Sequence, residues 1–557
     1  MSTVPTIGEY LIQRLIDHEV GHVFGIPGDY VLGFYELLSH SRLETIVTCD
    51  EQGAGFAADA YARLRGLGAV CVTYCVGGLK IVNPIAGAFA EKSPVVVISG
   101  APGIREREKN PLLHHKVREF DTQKRVFEQI TVASTVLSDP QTAFAEIDRV
   151  LHAAMRHKRP VYIELPRDRV GVRGAENHIP ARFEEPSDPE ALREALEEAT
   201  ALLNAAQRPV ILADVEVHRF HLQTAVLAFV EKTGIPFATT ILGKSVLGEQ
   251  HPLYLGLYEG AMGRDDVRTR VEESDCVLML GAFMTDINLG IYTARLDPAR
   301  SISATSETIS IRYHHFDNVR FDDFLHGLVE AAGSTIARRE SLAAPATLES
   351  KSRPPGPGAF TVQKEAPMTV ARLFERLNEF LKDNTLVVCD VGDALFGAID
   401  LRIHRHTEFL GPAYYASMGF AIPAAIGAEI ANRALRPLVL VGDGAFQMTG
   451  VELSTAVRNR LKPIVIVLNN KGYGTERHMQ DGPYNDVAPW RYAALPQLLG
   501  AGCAWDVRTE GELETALMEA DANVGSYSLV EVHLDPMDRS PALERLAIRL
   551  ARKLGGK

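Results

Sequence analysis

Arg436-Pro437-Leu438-Val439-Leu440-Val441-Gly442-Asp443-Gly444-Ala445-Phe446 is the stretch that decides the fold. A basic residue and a proline lead into a short aliphatic run that stops at Gly-Asp-Gly. Proline is tolerated at the start of a strand, where its missing N–H costs least. A run without polar positions reads as a strand buried on both faces, hence as part of a parallel sheet flanked by helices. The same device recurs in Lys92-Ser93-Pro94 before Val95-Val96-Val97-Ile98, and in Arg159-Pro160 before Val161-Tyr162-Ile163. Arg208-Pro209 precedes Val210-Ile211-Leu212, and Lys462-Pro463 precedes Ile464-Val465-Ile466-Val467. Alanine-rich stretches at 53–65 and 418–431 read as helices between such strands. The fold class is therefore α/β, built of doubly wound parallel sheets.

A chain of 557 residues is too long for one core. At ~100–200 residues per domain, three or four units are expected. The clearest break is 341–367, whose Arg353-Pro354-Pro355-Gly356-Pro357-Gly358 reads as an extended linker. A softer boundary lies in Arg182-Phe183-Glu184-Glu185-Pro186-Ser187-Asp188-Pro189. The expected domains are 1–185, 186–340 and 368–557. A net charge of −13 argues against nucleic acid as a partner. Six cysteines without C-x-x-C or zinc-like spacing fit a reducing compartment. The residues from Thr6 to Ile16 show helical periodicity with charges inside it, unlike a secretory leader. No run of ~20 apolar residues occurs, so no membrane span is expected and a cytoplasmic location fits.

The sharpest functional signal lies just past two of these strands. Gly442-Asp443-Gly444-Ala445 is followed by Leu468-Asn469-Asn470-Lys471-Gly472-Tyr473, with Asn470 27 residues after Asp443. In an open parallel sheet, ligands bind outside the carboxyl ends of the strands. Glycines around Asp443 let the backbone approach a phosphate, and a helix expected over 446–459 would favour a diphosphate at its start. Asp443 and Asn470 supply hard oxygen ligands suited to Mg²⁺. Two ordinary strand-end turns would use similar residues.

This spacing resembles the signature of thiamine-diphosphate enzymes. The resemblance implies metal ligands at Asp443, Asn470 and the carbonyl of Gly472. It also implies a carboxyl group set against the cofactor's aminopyrimidine, which favours the imino tautomer that generates the ylid. Glu51 fits this role in Cys49-Asp50-Glu51-Gln52-Gly53-Ala54-Gly55-Phe56. A plain first-turn glutamate placed by the helix dipole is the alternative. Neighbouring Asp50 and Asp59 read as surface or packing charges. In related enzymes the pyrimidine meets the first domain of one subunit and the diphosphate the last domain of another, which implies at least a dimer, with a tetramer expected.

Three further features resemble the pyruvate, indolepyruvate and phenylpyruvate decarboxylases. These are Asp29 in Gly25-Ile26-Pro27-Gly28-Asp29-Tyr30, the pair His114-His115 after a charged segment expected to be mobile (105–109), and Glu476 in Gly472-Tyr473-Gly474-Thr475-Glu476-Arg477. Alone, each could be a turn former, a packed imidazole or a solvated ion pair. As a set, they could trade the protons that decarboxylation through an enamine and aldehyde release require. The resemblance places Glu476 near the substrate carboxylate, and Asp29 with His114 or His115 at protonation and release. It further implies cofactor contacts from Asp393, from the carbonyl of Ala416 and from a wedge at Met418, besides Gly442, Gly444 and Ala445. Leu395, Thr475 and Met479 are expected at the substrate pocket. Pyruvate decarboxylases carry a tryptophan at the position of Leu395 and an isoleucine at that of Thr475, so bulky 2-oxo acids are expected to be preferred.

Lys80, in Gly77-Gly78-Leu79-Lys80-Ile81, departs from the family's usual small polar residue. The charges after His115 and Gly474, where a threonine is usual, depart as well. His404 and His406 read as exposed. A thiamine-dependent carboligase and a catalytically silent protein with this fold are the competing functions. The middle unit lacks G-x-G-x-x-G, so FAD is not indicated.

Overall fold

The computed structural model describes residues 4–180, 185–339, 360–404 and 409–545. His406, most of the expected linker, and Arg182-Phe183-Glu184 of the softer boundary lie outside the described residues.

Three sheets follow one another along the chain. The first runs Glu44–Val47, His22–Gly25, Gly68–Val72, Val95–Ala101, Val161–Pro166 and Ala133–Val136 in spatial order, all parallel. The third runs Phe409–Leu410, Thr385–Cys389, Arg436–Gly442, Ile464–Asn469, Ser528–His533 and Cys503–Val507, also all parallel. Counted along the chain within each unit, both have the order 2-1-3-4-6-5. The two terminal units thus share a topology that no repeat in the sequence betrays.

The middle sheet has seven strands. Tyr254–Leu257, Phe237–Thr239, Pro209–Ala213, Cys276–Leu280 and Ser301–Ala304 are parallel. Ile309–Ile311 and His314–Phe316 extend it antiparallel, an addition at one edge of the expected parallel sheet. The outer strand leaves His314 and His315 exposed, as an antiparallel edge can. The aliphatic runs elsewhere behave as expected. Val95–Ala101, Val161–Pro166 and Pro209–Ala213 are buried at every position.

Helix starts differ from the sequence expectation where caps intervene. The helix expected from 53 is Glu51–Arg65, because the Asp50 carboxylate accepts the N–H of Gln52 at 2.7 Å and starts it two residues earlier. The helix expected from 418 begins only at Ala421 and ends at Ala431, since Gly419 is left-handed at φ +84°. The helix expected from 446 begins at Asp443 itself and ends at Thr449; a 3₁₀ turn, Gly450–Glu452, and the helix Leu453–Arg458 continue the path. His404 is half-buried rather than exposed, with its Nδ1 3.0 Å from Asp383. No helix among the described residues is long and apolar enough to cross a membrane.

The first and third units join through two helices. Ala421–Ala431 is buried on every face and packs against Glu51–Arg65. Phe56 meets Phe420 edge to face at 5.7 Å. A Cβ at Gly427 would sit 2.0 Å from the Ala57 carbonyl oxygen, so the two backbones touch where only glycine fits. We expect Gly427→Ala to lower stability by about 1–3 kcal/mol in urea unfolding through forced separation of the helices. Gly171→Ala, which meets nothing within 4 Å, serves as the near-neutral control.

Candidate active site

Asp443 closes the strand Arg436–Gly442 and opens the next helix, so its carboxylate lies at the carboxyl edge of the third sheet. Only 1% of the residue is exposed. Oδ1 accepts the N–H of Gly444 at 2.7 Å and Oδ2 that of Gly472 at 3.0 Å. These bonds tie together the two turns that the sequence pairs. Burial pushes the carboxyl up to about 6. Gly472 lies at φ +154°, and a Cβ there would collide with the Asn485 carbonyl oxygen at 2.0 Å. A Cβ at Gly474 would meet the Asn470 side-chain amide at 2.6 Å, which places Asn470 in the same turn.

Glu51 stands at the carboxyl edge of the first sheet, just past Glu44–Val47. Asp29 stands past His22–Gly25, the strand paired with Glu44–Val47, so both carboxylates belong to one edge. The Glu51 side chain is 15% exposed, and Lys80 Nζ lies 3.4 Å from its Oε2 while also pairing with Asp50. Glu452 connects this edge to the third unit. Its carboxylate accepts the backbone N–H groups of Cys49 and Asp50 at 3.1 Å, and Thr455 donates to it at 2.7 Å. Glu452 belongs to the turn directly after the helix that Asp443 begins. Asn83 Nδ2 donates to Ser417 Oγ at 2.7 Å along the same junction.

Asp29, His114 and His115 form one cluster. His114 Nε2 is 2.7 Å from Asp29 Oδ2, and the two imidazole rings are 4.8 Å apart, edge to face. Tyr30 stacks on His114 at 4.8 Å and meets His115 edge-on at 5.8 Å. Arg167 covers the Tyr30 ring, with Nη1 3.9 Å from Asp29. His115 has a left-handed backbone, φ +67°, and its buried Nδ1 has no partner among the described residues. The segment expected to be mobile is tied down: Arg107 donates to Glu164 at 2.8 Å, and Glu106 pairs with Arg167. Glu476 is exposed on Gly474–Met479 and contacts none of this cluster among the described residues.

Three regions match models of thiamine pyrophosphate enzymes: the N-terminal TPP-binding domain at residues 5–125, the central domain at 196–323 and the C-terminal TPP-binding domain at 390–532. An indole-3-pyruvate decarboxylase from Azospirillum brasilense is 38% identical over 534 residues, covering 94% of each chain. An alpha-keto-acid decarboxylase from Mycolicibacterium paratuberculosis is 36% identical over 556 residues, covering 98% of this chain and 96% of its own. One from Mycobacterium leprae is 35% identical over the same length. The chain belongs to the thiamine-diphosphate-dependent 2-oxo acid decarboxylase family.

The donors of this decarboxylase fit its cofactor. The Cβ position of Gly442 faces open space, with nothing within 4 Å, so a phosphate can approach the backbone there. Asp443 from one turn, and Asn470 and the Gly472 carbonyl from the turn bonded to it, are the hard oxygens that could hold a cation. Gly444 and Ala445 are buried in the first helical turn. Ala416 holds a left-handed backbone, φ +55°, and Met418 is half-buried.

The residues expected at the substrate pocket and Asp393 separate into two kinds. Thr475 Oγ1 would lie 3.4 Å from a Cβ at Gly392, which places it beside the strand end at 389–392. Met479 is 54% exposed. Leu395 is only 3% exposed and packs in the hydrophobic core with Val387 and Leu440. Asp393 has its carboxylate engaged by Ser540, whose N–H donates at 2.8 Å and whose hydroxyl also donates.

Sequence reasoning missed Glu452, for which distance along the chain gives no clue, and Asp390. Asp390 is fully buried and accepts N–H groups from Val391, Gly419 and Ala421 at 2.9, 3.1 and 2.9 Å. It thereby fixes the turn that follows Met418. Its position at a strand end, like that of Asp443, was the available signal. We expect Asp390→Ala to cost about 1–3 kcal/mol in urea unfolding, because buried N–H groups lose their acceptor.

Proposed function

We propose that the enzyme removes CO2 from a bulky, aromatic or branched-chain 2-oxo acid and releases the aldehyde, using thiamine diphosphate and Mg²⁺. The cluster of Asp29, His114 and His115 beside the Glu51 edge carries this reading. An acid and two imidazoles in contact can exchange the protons of the reaction, which a silent protein would have no need to retain. The A. brasilense relative is named for indole-3-pyruvate, a bulky 2-oxo acid.

When bound, thiamine diphosphate supplies the electron sink for the carbon that loses CO2. Asp443, Asn470 and the Gly472 carbonyl would hold Mg²⁺, and the open backbone at Gly442 would admit the diphosphate. Glu51 would share a proton with the ring nitrogen of the cofactor's pyrimidine. Asp29 orients His114 through the 2.7 Å contact, and His114 with His115 delivers and removes the proton at the former carbonyl carbon and its oxygen. Tyr30, stacked on one imidazole and edge-on to the other, keeps the pair in register. Glu476 serves the substrate carboxylate.

Glu476 stands apart from the Asp29 cluster within one chain, which supports a site completed by a second copy, as a dimer at least and a tetramer by family expectation. Asp29 and His114 have side chains 40% and 59% exposed, so a partner surface or bound substrate would exclude the water that now wets them.

The test is CO2 release from a panel of 2-oxo acids with and without thiamine diphosphate and Mg²⁺. We expect kcat/KM for phenylpyruvate to exceed that for pyruvate by about tenfold or more; equal or reversed values would remove the bulky-substrate assignment. Glu51→Gln should lose at least about a hundredfold in kcat. Wild-type turnover in that variant would refute the role given to Glu51. Exchange of Asp29 for Asn should lower kcat while leaving cofactor affinity unchanged, as measured by fluorescence titration.

A further inference from the structure

Three side chains able to ligate a metal meet at the edge of the third sheet. Asp506 lies in the edge strand Cys503–Val507, and Glu531 stands directly opposite it in Ser528–His533, as its partner in the parallel register. His533 follows Glu531 by two residues, so strand alternation sets the imidazole on the same face. One donor atom from each of the three lies within 4.8 Å of the other two.

The bonding within this cluster is incomplete. Asp506 and Glu531 are like charges in register, which destabilises a strand pair unless a cation balances them. Glu531 is 3% exposed, so water does little to screen it. His533 Nε2 lies 2.9 Å from Asp506 Oδ1 and 3.6 Å from Glu531 Oε1, yet this buried nitrogen makes no hydrogen bond among the described residues. An imidazolium that balanced the two acids would turn its N–H onto one of them. Here the nitrogen stands beside both and donates to neither. Arg508 pairs with Asp506 at 3.3 Å, but both side chains are exposed, and such pairs hold little energy.

We propose that Asp506, Glu531 and His533 bind a divalent transition-metal ion of the zinc type, through one oxygen of each carboxylate and Nε2 of the imidazole. A nitrogen ligand selects such an ion over Mg²⁺, which takes oxygen ligands. In a tetrahedral zinc site with bonds of about 2.0–2.2 Å, ligand atoms lie roughly 3.3–3.6 Å apart. The separations from His533 Nε2, 2.9 and 3.6 Å, need only small side-chain adjustments to meet that geometry.

The surroundings suit the role. Glu531 Oε1 accepts from Asn469 Nδ2 at 2.7 Å and Oε2 accepts the N–H of Ala493 at 2.9 Å. Such outer partners fix the orientation of a ligating carboxylate and leave each oxygen a second lone pair. The Asp506 side chain is half-exposed, which gives the ion an entry path and room for water as the fourth ligand. Asn469 is also the register partner of His533, so a bound ion braces the base of the turn that carries Asn470.

The test is equilibrium dialysis of the holoenzyme against ZnCl2 with Mg²⁺ in excess, the bound zinc being counted by atomic absorption. We expect saturable binding, with one zinc fewer per chain in His533→Ala and in Asp506→Asn at concentrations that saturate the wild type. Each variant should weaken this binding at least about tenfold, since losing a ligand costs no less than losing an outer partner. With Co²⁺ in place of zinc, visible absorption that is lost in His533→Ala would identify the imidazole as a ligand. The proposal is overturned if no zinc binds saturably, or if either folded variant binds zinc as the wild type does. The second result would also be given by zinc that merely replaced Mg²⁺ beside Asp443. Asp506 is exposed, so Asp506→Asn decides the matter should His533→Ala fail to fold.

Discussion

The contact between Gly427 and the Ala57 backbone holds the rest of the arrangement in place. Two helices that touch backbone to backbone allow almost no sliding, because every neighbouring side chain must interdigitate at that spacing. Glu51 begins one of these helices, and the turn from Ala416 to Gly419 leads into the other. Their separation is therefore fixed by packing rather than by loops. Buried charge locks the junction further. Arg63 pairs with Asp59 and Glu91, each at 2.8 Å, and donates to the Gly411 carbonyl, while Glu91 accepts the N–H groups of Tyr414 and Tyr415. These two residues precede Ala416 directly, so a carboxylate of the first unit sets a backbone turn of the third. Breaking such a network leaves uncompensated buried charge, so it specifies geometry even where it adds little net stability.

Strand-end aspartates recur in the central and third units with different outcomes. Asp214, Asp390 and Asp443 each follow a buried parallel strand, and burial raises each to about 6. Asp214 is saturated by Thr240 and by the N–H groups of Val215 and Phe283. Asp390 spends its oxygens on three backbone N–H groups. Asp443 accepts one backbone N–H on each oxygen, beside an open glycine and two further oxygen donors. Placement at a strand end is thus common to acids with full and with partly filled hydrogen-bond capacity. The number of lone pairs left over tells them apart, and that number is set by the folded chain rather than by local sequence.

The same distinction governs what can be read from residues alone. Uninterrupted aliphatic runs such as Val95-Val96-Val97-Ile98 suit only buried strands, so the fold class was legible. The pairing of Asp443 with the turn at Gly472 was legible as well, because glycines beside polar strand-end residues mark a backbone shaped for close approach. The cluster of Asp29, His114 and His115 could be named only through a family resemblance, since 85 residues separate Asp29 from His114 and no local pattern links them. Glu452 and Asp390 act on backbone N–H groups of distant segments, an interaction with no sequence signature. The antiparallel edge of the central sheet escaped because its strands span three residues each, too few for periodicity to register. The shared strand order of the terminal units shows that topology can repeat where sequence similarity does not.

Leu395 and Thr475, on which the proposed preference for bulky substrates rests, differ in setting. Leu395 is almost sealed in the core with Val387 and Leu440. A Cβ added at Gly411 would reach its Cδ1 at 3.0 Å, so the wall behind it is already full on that side. Replacing it by a larger ring would have to displace neighbours or emerge into the cleft, because close-packed cores absorb little extra volume. Thr475 sits half-exposed next to Gly392, where no Cβ intervenes, outside that core. Enlargement at 395 stresses the core, whereas enlargement at 475 does not.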